Sequence, residues 1–132
     1  MPAIAGQIST VYVRERSTAG TVMRANSLAG HVVLFIHGAG TPAEVAFDVP
    51  TADYSWMAYL AQAGYDVFAM DMTGYGRSGR PMMDDPRNLD PKQQRLLIPR
   101  NLAAPCDPPY GFQLVNSDSE TADIDAVVDF IR

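Results

Sequence analysis

One stretch decides the fold of this chain: Val32-Val33-Leu34-Phe35-Ile36-His37-Gly38-Ala39-Gly40. Its first five residues are all apolar, which is typical of a parallel strand that is buried on both faces in the middle of a sheet. Open α/β sheets bind ligands at the carboxyl ends of such strands, where a glycine-rich turn brings the backbone close to the ligand. The stretch therefore predicts an α/β fold with a ligand site at residues 37–40.

A second strand is predicted downstream, at residues 65–70, and it ends at Asp71. Between the two strands, a helix is predicted over residues 54–63, with Asp53 as its N-cap and Gly64 after its last residue. A strand, a helix and a strand in this order form a βαβ unit, so we expect the two strands to be parallel neighbours.

The remaining elements are predicted from shorter patterns. Strands are expected at residues 7–14 and 21–24, and residues 41–50 are expected to form a loop because they contain two prolines. The helix at 54–63 is expected to bury Trp56 together with its other apolar residues. A capping box at residues 117–120 predicts a last helix.

Composition excludes several classes of protein. The 132 residues are enough for one domain, and 15 acidic against 10 basic residues give a net charge of −5, which argues against nucleic acid or an anionic membrane as partner. Cys106 is the single cysteine, so neither a disulfide framework nor a cysteine-rich metal site is expected. Without an apolar span or a signal-peptide pattern, we expect a cytoplasmic protein, although a removed leader would leave the same sequence.

Two glycine-rich segments are candidates for chemistry. The backbone N–H groups of residues 37–40 are suited to bind a developing oxyanion, although the glycines would equally serve a tight turn. Gly74, Gly76 and Gly79 form a G-x-G-x-x-G match, but Pro81 follows where a dinucleotide-binding helix should begin. A nucleotide-binding module is therefore disfavoured, and no cofactor and no metal are expected.

Taken together, a strand into His37-Gly38-Ala39-Gly40, a helix, and a strand into Asp71-x-x-Gly74-x-Gly76-x-Ser78 resemble the α/β-hydrolase superfamily. The resemblance implies that residues 1–132 are the N-terminal half of a single hydrolase domain, a mostly parallel sheet with flanking helices that is incomplete without a partner chain. Thr73 stands where many members of the superfamily have arginine.

The resemblance also implies roles for individual residues. The Ala39 N–H corresponds to the first oxyanion-hole donor, in a loop shaped by His37, Gly38 and Gly40. The site wall corresponds to Asp71, Gly74, Gly76 and Ser78.

Residues 79–116, which are rich in proline, are expected to form an irregular, lid-like excursion with one short helix near residues 91–97.

The catalytic nucleophile, acid and base are missing from this chain. No Gly-x-Ser-x-Gly pentapeptide occurs, and the nearest approach, around Ser78, has Arg80 in place of the second glycine. We expect a serine-esterase-like hydrolase of small ester, lactone or related acyl substrates whose nucleophile lies in the C-terminal remainder of the domain, on a second chain. The alternative is a non-catalytic hydrolase-like subunit that acts by pairing with another protein.

Overall fold

The computed structural model describes residues 8–18, 30–81, 85–108 and 115–132. Within these residues, three strands form one sheet in the order β1–β3–β2: β1 is Tyr12–Arg16, β2 is Val32–Ile36 and β3 is Asp66–Asp71. β2 and β3 are parallel, as the βαβ pattern predicts, while β1 runs antiparallel to β3. The described sheet is therefore mixed, which corrects the expectation of a mostly parallel one in this part of the chain.

The described helices flank this sheet or lie in the excursion between residues 79 and 116. They are α1 (Ala43–Phe47), α2 (Trp56–Gln62), α3 (Pro91–Gln94) and α4 (Ser117–Ile131), with a 3₁₀ turn at Pro86–Asn88. α3 confirms the short helix that was expected near residues 91–97.

The central strand is β3, and all six of its residues are buried. Because side chains alternate along a strand, β3 supplies two apolar clusters on opposite faces of the sheet. Val67 and Ala69 pack with residues of α1 and α2, whereas Met70 packs with Met72 and with Val127 of α4. The sheet is thus covered by α1 and α2 on one face and by α4 on the other.

β2 is an edge strand in the described sheet, although its apolar sequence predicts a central one. Its end residues, Val32 and Ile36, are 40% and 43% exposed. Among the described residues, β2 forms a ladder with β3 alone. An edge strand with five apolar residues is an unusual feature in a natural sheet, because such edges invite pairing with another chain.

The loop expected at residues 41–50 contains a helix, α1, and that prediction is wrong. Pro42 occupies the N-cap position, where a backbone N–H is not required, so it starts the helix instead of preventing it. Phe47, near the end of α1, stacks on Phe35 of β2 with ring centroids 4.6 Å apart. This contact holds α1 against the sheet.

Helix α2 starts later than predicted, because its N-cap is Ser55 and not Asp53. The Ser55 hydroxyl oxygen accepts a hydrogen bond from the Ala58 N–H at 2.9 Å. With this start, Met57 and Ala61 face the core, and Trp56 is 64% exposed rather than buried. The one tryptophan of the sequence therefore lies on the solvent side of α2.

A cluster of charged side chains ties α1, α2 and β1 together around Asp48, whose carboxylate is fully buried. Arg14, Arg16 and the Ser55 hydroxyl all donate hydrogen bonds to it. Burial by itself would raise the pKa of Asp48, but these three donors outweigh burial and hold the pKa below its ordinary value.

Helix α4 begins one residue away from the predicted capping box. Asn116 is the N-cap: its side chain accepts the Ser119 N–H at 3.1 Å, and the Ser119 hydroxyl oxygen accepts the Asn116 N–H at 3.0 Å. An asparagine and a serine thus supply the reciprocal pair that serine and glutamate were expected to supply.

Two sequence predictions near the N-terminus fare differently. The strand expected at residues 7–14 is present as β1, displaced toward the C-terminus, and its predicted start at residue 7 lies outside the described residues. The weaker strand expected at residues 21–24 also lies outside them.

Among the helices that the structure describes, none combines the length and the apolar character that a membrane crossing requires.

Candidate active site

Two loops meet at the carboxyl ends of the parallel strands, and His37 joins them. The Met72 N–H, just after β3, donates a hydrogen bond to His37 Nε2 at 3.0 Å. Nε2 must therefore be the unprotonated nitrogen, so Nδ1 carries the proton and donates to the Gly38 carbonyl oxygen at 2.8 Å. Both ring nitrogens of His37 are hydrogen-bonded and its side chain is buried, so His37 fixes the positions of the two loops relative to each other.

Asp71 joins the second loop to helix α1. Its buried carboxylate accepts the Ala43 N–H at 2.7 Å on one oxygen and the Arg77 N–H at 2.9 Å on the other. Both donors are backbone groups, so the carboxylate fixes the path of the chain on each side of it. We refer to residues 71–79 as the Asp71–Gly79 loop.

One glycine of the Asp71–Gly79 loop, Gly76, is required by packing. A Cβ atom on Gly76 would lie 2.1 Å from Oδ2 of Asp71, and the φ of Gly76 is +47°. The Gly74 N–H donates to the Gly79 carbonyl oxygen at 2.9 Å, which closes the loop on itself. The glycine spacing that matches a dinucleotide motif serves this closed loop, which no described helix follows directly.

The hydroxyl of Ser78 is buried within the same loop. It donates to the Asp71 carbonyl oxygen and accepts the Tyr12 N–H at 2.8 Å, which connects the loop to β1. Because its donor and acceptor functions are both engaged with the backbone, Ser78 has a structural environment and not that of an activated nucleophile.

Thr73 anchors helix α4, a contact that sequence reasoning missed. The Thr73 N–H and hydroxyl donate to the two carboxylate oxygens of Asp123 at 2.7 and 3.0 Å. Thr73 is 1% exposed, so this paired contact is shielded on the threonine side. The two residues are 50 positions apart, and no local pattern in the sequence links them.

A cavity of about 310 Å³ lies between α1 and the Asp71–Gly79 loop. Arg77 reaches across its rim to Glu44, with 3.2 Å between Nη2 and Oε2. The cavity is lined by Pro42, Glu44, Val45, Val49, Pro50, Asp71, Gly76 and Arg77. The structure therefore places Asp71 and Gly76, two of the predicted wall residues, at one cavity, while Ala39 is not among the residues that line it.

The turn at residues 38–40 differs from the loop beside it, because all three of its residues are exposed. The Ala39 N–H donates no hydrogen bond to any residue in the described part of the chain. Gly38 separates Ala39 from the buried His37, and His37 Nδ1 donates to the Gly38 carbonyl oxygen, which belongs to the same peptide unit as the Ala39 N–H. The position of the Ala39 N–H is therefore fixed by the preceding residues, and the group is available for a hydrogen bond to a ligand.

The arrangement of strands, turn and loop agrees with the comparison to known families. The sequence profile described as "alpha/beta hydrolase fold" matches residues 31–132, which is more than half of the chain. The chain belongs to the α/β-hydrolase fold family. No curated protein and no solved structure gives a significant match. Membership of this family indicates hydrolase activity in general.

Side chains that bind metal ions are not clustered in the part of the hydrolase chain that the structure describes. No group of three or more His, Cys, Asp or Glu side chains is placed to hold an ion there. Cys106 is exposed and is not in a disulfide. The Asp71–Gly79 loop and the turn at residues 38–40 are thus the features of this hydrolase chain on which a proposal about its reaction rests.

Proposed function

We propose that this chain is the N-terminal part of a serine-esterase-like hydrolase that cleaves ester, lactone or related acyl bonds. Its role is to supply the Ala39 N–H as one donor of the oxyanion hole. The observation that carries the proposal is the open Ala39 N–H, three residues after the end of β2, in a peptide unit whose Gly38 carbonyl oxygen is bound by the buried His37. A preorganised donor of this kind contributes about 3–4 kcal/mol to the transition state of acyl transfer.

The second part of the proposal concerns the nucleophile. Ser78 is engaged with the backbone and His37 uses both ring nitrogens, so the triad is assigned to the C-terminal remainder of the domain on a second polypeptide. That polypeptide would add a strand to the open edge of β2, where Val32 and Ile36 are 40% and 43% exposed. A cytoplasmic location belongs to the same proposal, supported by the single cysteine.

The oxyanion role is tested by replacing Ala39 in the assembled hydrolase. Ala39→Pro removes the N–H and should lower kcat for a p-nitrophenyl ester by about 10²–10³-fold. Ala39→Gly keeps the N–H and should retain most of the activity. Far-UV circular dichroism and a thermal melt on both variants show whether the fold is intact. An unchanged kcat in a folded Ala39→Pro protein would remove Ala39 from the mechanism.

The assignment of the nucleophile is tested with a fluorophosphonate probe, which labels activated serines. We expect the label on the complementing polypeptide, and we expect residues 1–132 alone to hydrolyse neither p-nitrophenyl butyrate nor a γ-lactone. Labelling of residues 1–132 alone, or turnover by them, would contradict the proposal.

A second candidate function is a non-catalytic hydrolase-like subunit that acts through protein pairing. The apolar edge of β2 favours it, as does Phe130 on α4, which is 74% exposed. The two candidates differ in one measurement, because an assembled complex without acyl hydrolysis and without probe labelling supports pairing alone.

A further inference from the structure

Residues 85–108, which we call the 85–108 segment, are organised by one buried side chain. Gln94 is 4% exposed, and its Nε2 group donates to the carbonyl oxygens of Leu89 at 2.7 Å and Cys106 at 2.8 Å. Its Oε1 atom accepts the Cys106 N–H at 2.9 Å. This one amide therefore fixes both ends of the segment relative to α3, and the surface next to it is preorganised.

A cavity of about 280 Å³ opens beside Gln94. It is lined by Gln94, Arg95, Arg100, Leu102, Ala103 and Pro105. The lining thus combines two arginines with a short apolar wall, and it includes no acidic residue. A site of this size accommodates a small ligand or the end of a longer one.

The two arginines of the cavity have no ion-pair partner among the residues that the structure describes. Neither Arg95 nor Arg100 forms an ion pair with any residue in the described ranges. Asp85 is bound to Arg87, whose hydrogen bonds lower the pKa of Asp85 to about 2. The Asp90 side chain accepts the Lys92 N–H at 2.8 Å and caps α3. These two nearby carboxylates therefore have other partners.

We propose that this cavity binds an oxyanion group, a carboxylate or a phosphate, that is attached to a small apolar body. The planar guanidinium group matches such oxygens with two parallel hydrogen bonds, and two arginines on one cavity supply this geometry twice. Leu102, Ala103 and Pro105 contact the apolar part. The proposal concerns the 85–108 segment and stands independently of the hydrolase reaction.

The test is a titration of the full chain with inorganic phosphate and, separately, with hexanoate and acetate, followed by NMR and by calorimetry. Arg95→Gln and Arg100→Gln should each weaken binding about tenfold, since each removes a charge-assisted pair. The double variant should lose binding. Lys92→Gln is the matched control, because Lys92 is an exposed cation on the same segment that does not line the cavity.

The outcomes separate the two sources of the oxyanion. Hexanoate binding more tightly than acetate identifies a carboxylate with an apolar tail, whereas binding of phosphate without hexanoate identifies a phosphorylated ligand. Circular dichroism on each variant verifies that the fold is kept. Absence of binding for all three anions, or equal affinity in the folded double variant and the unsubstituted chain, would overturn the proposal.

Discussion

Asp48 and Asp71 are both buried aspartates, but they are held by different kinds of partner. The Asp48 carboxylate accepts hydrogen bonds from the side chains of Arg14, Arg16 and Ser55. The Asp71 carboxylate accepts them from the backbone N–H groups of Ala43 and Arg77.

The difference between the two sites determines what each aspartate controls. The arginines around Asp48 have partly exposed side chains, 27% and 39%, and can turn to solvent if the carboxylate is lost. The N–H groups around Asp71 cannot leave without moving the chain. Asp48 therefore contributes to stability, whereas Asp71 determines the shape of the loop at the candidate active site.

The largest effect is expected for Gly76→Ala, which disturbs the packing around the Asp71 carboxylate. The new Cβ would overlap Oδ2 of Asp71 at 2.1 Å in a residue with φ of +47°. Overpacking and backbone strain together should lower the free energy of unfolding by about 3 kcal/mol, measured by urea denaturation. Gly64→Ala is the control: φ is +97° but nothing lies within 4 Å, so only about 1 kcal/mol should be lost. Equal losses would show that Asp71 does not confine this glycine.

Asp48→Asn should lower the free energy of unfolding by about 2–3 kcal/mol, because it leaves two arginines without their carboxylate. It should leave hydrolysis by the assembled enzyme unchanged. The pKa of Asp48 is depressed, so its contribution is present above its ordinary value of 3.8 and is lost as the pH falls through the folded-state pKa. Urea denaturation at pH 7 and pH 3 should therefore show a smaller difference between variant and parent at the lower pH. A constant difference would contradict the ionic account.

Asp71→Asn should cost less stability, about 2 kcal/mol, because the amide oxygen still accepts one of the two N–H groups. Its distinguishing effect is local. Hydrogen exchange of the Ala43 and Arg77 amides should accelerate more than that of the β3 amides, and hydrolysis should fall. Asp48→Asn serves as the matched control, since it should leave the exchange of those two amides relative to β3 unchanged.

In the described part of the chain, Glu15 has neither an arginine nor a backbone N–H bound to its carboxylate, so it provides the weakly supported case for the comparison. Glu15 is an exposed residue, and its partial desolvation and then the charge of Asp66 raise its pKa above the ordinary value of 4.5. A raised pKa means that Glu15 is compatible with folding below that value and opposes folding as the pH rises through the folded-state pKa. Glu15→Gln should therefore raise the free energy of unfolding by about 0.5 kcal/mol at pH 7, a figure reduced for solvent screening. The gain should disappear at pH 4, and a gain that persists there would refute the electrostatic cause.

The sequence predicted those features that depend on local periodicity. The pairing of β2 with β3 follows from two apolar runs joined by a helical pattern, and it is confirmed. Helix boundaries were less accurate, since Ser55 and Asn116 compete as caps with neighbouring polar residues and only tertiary contacts decide. The hydrogen bond between Arg14 and Asp48 joins residues that are 34 positions apart, so no local sequence pattern predicts it.

For the candidate site, the motif residues could be identified from the sequence, but their chemistry could not. The tautomer of His37 is determined by the Met72 N–H, a donor 35 residues away. The reason for glycine at position 76 is the carboxylate of Asp71, which is visible only when the loop has closed. The predicted roles of Ala39 and of the lid-like excursion stay predictions.

The position of Trp56 has a consequence for spectroscopy. The one tryptophan of this chain is 64% exposed on α2, so its indole already lies largely in water in the native state. Its emission should therefore resemble that of a solvated indole before denaturation, and it should be accessible to quenchers such as acrylamide. Fluorescence from this residue reports on the outer surface of α2 and is a poor reporter of core packing, for which backbone dichroism is the suitable signal.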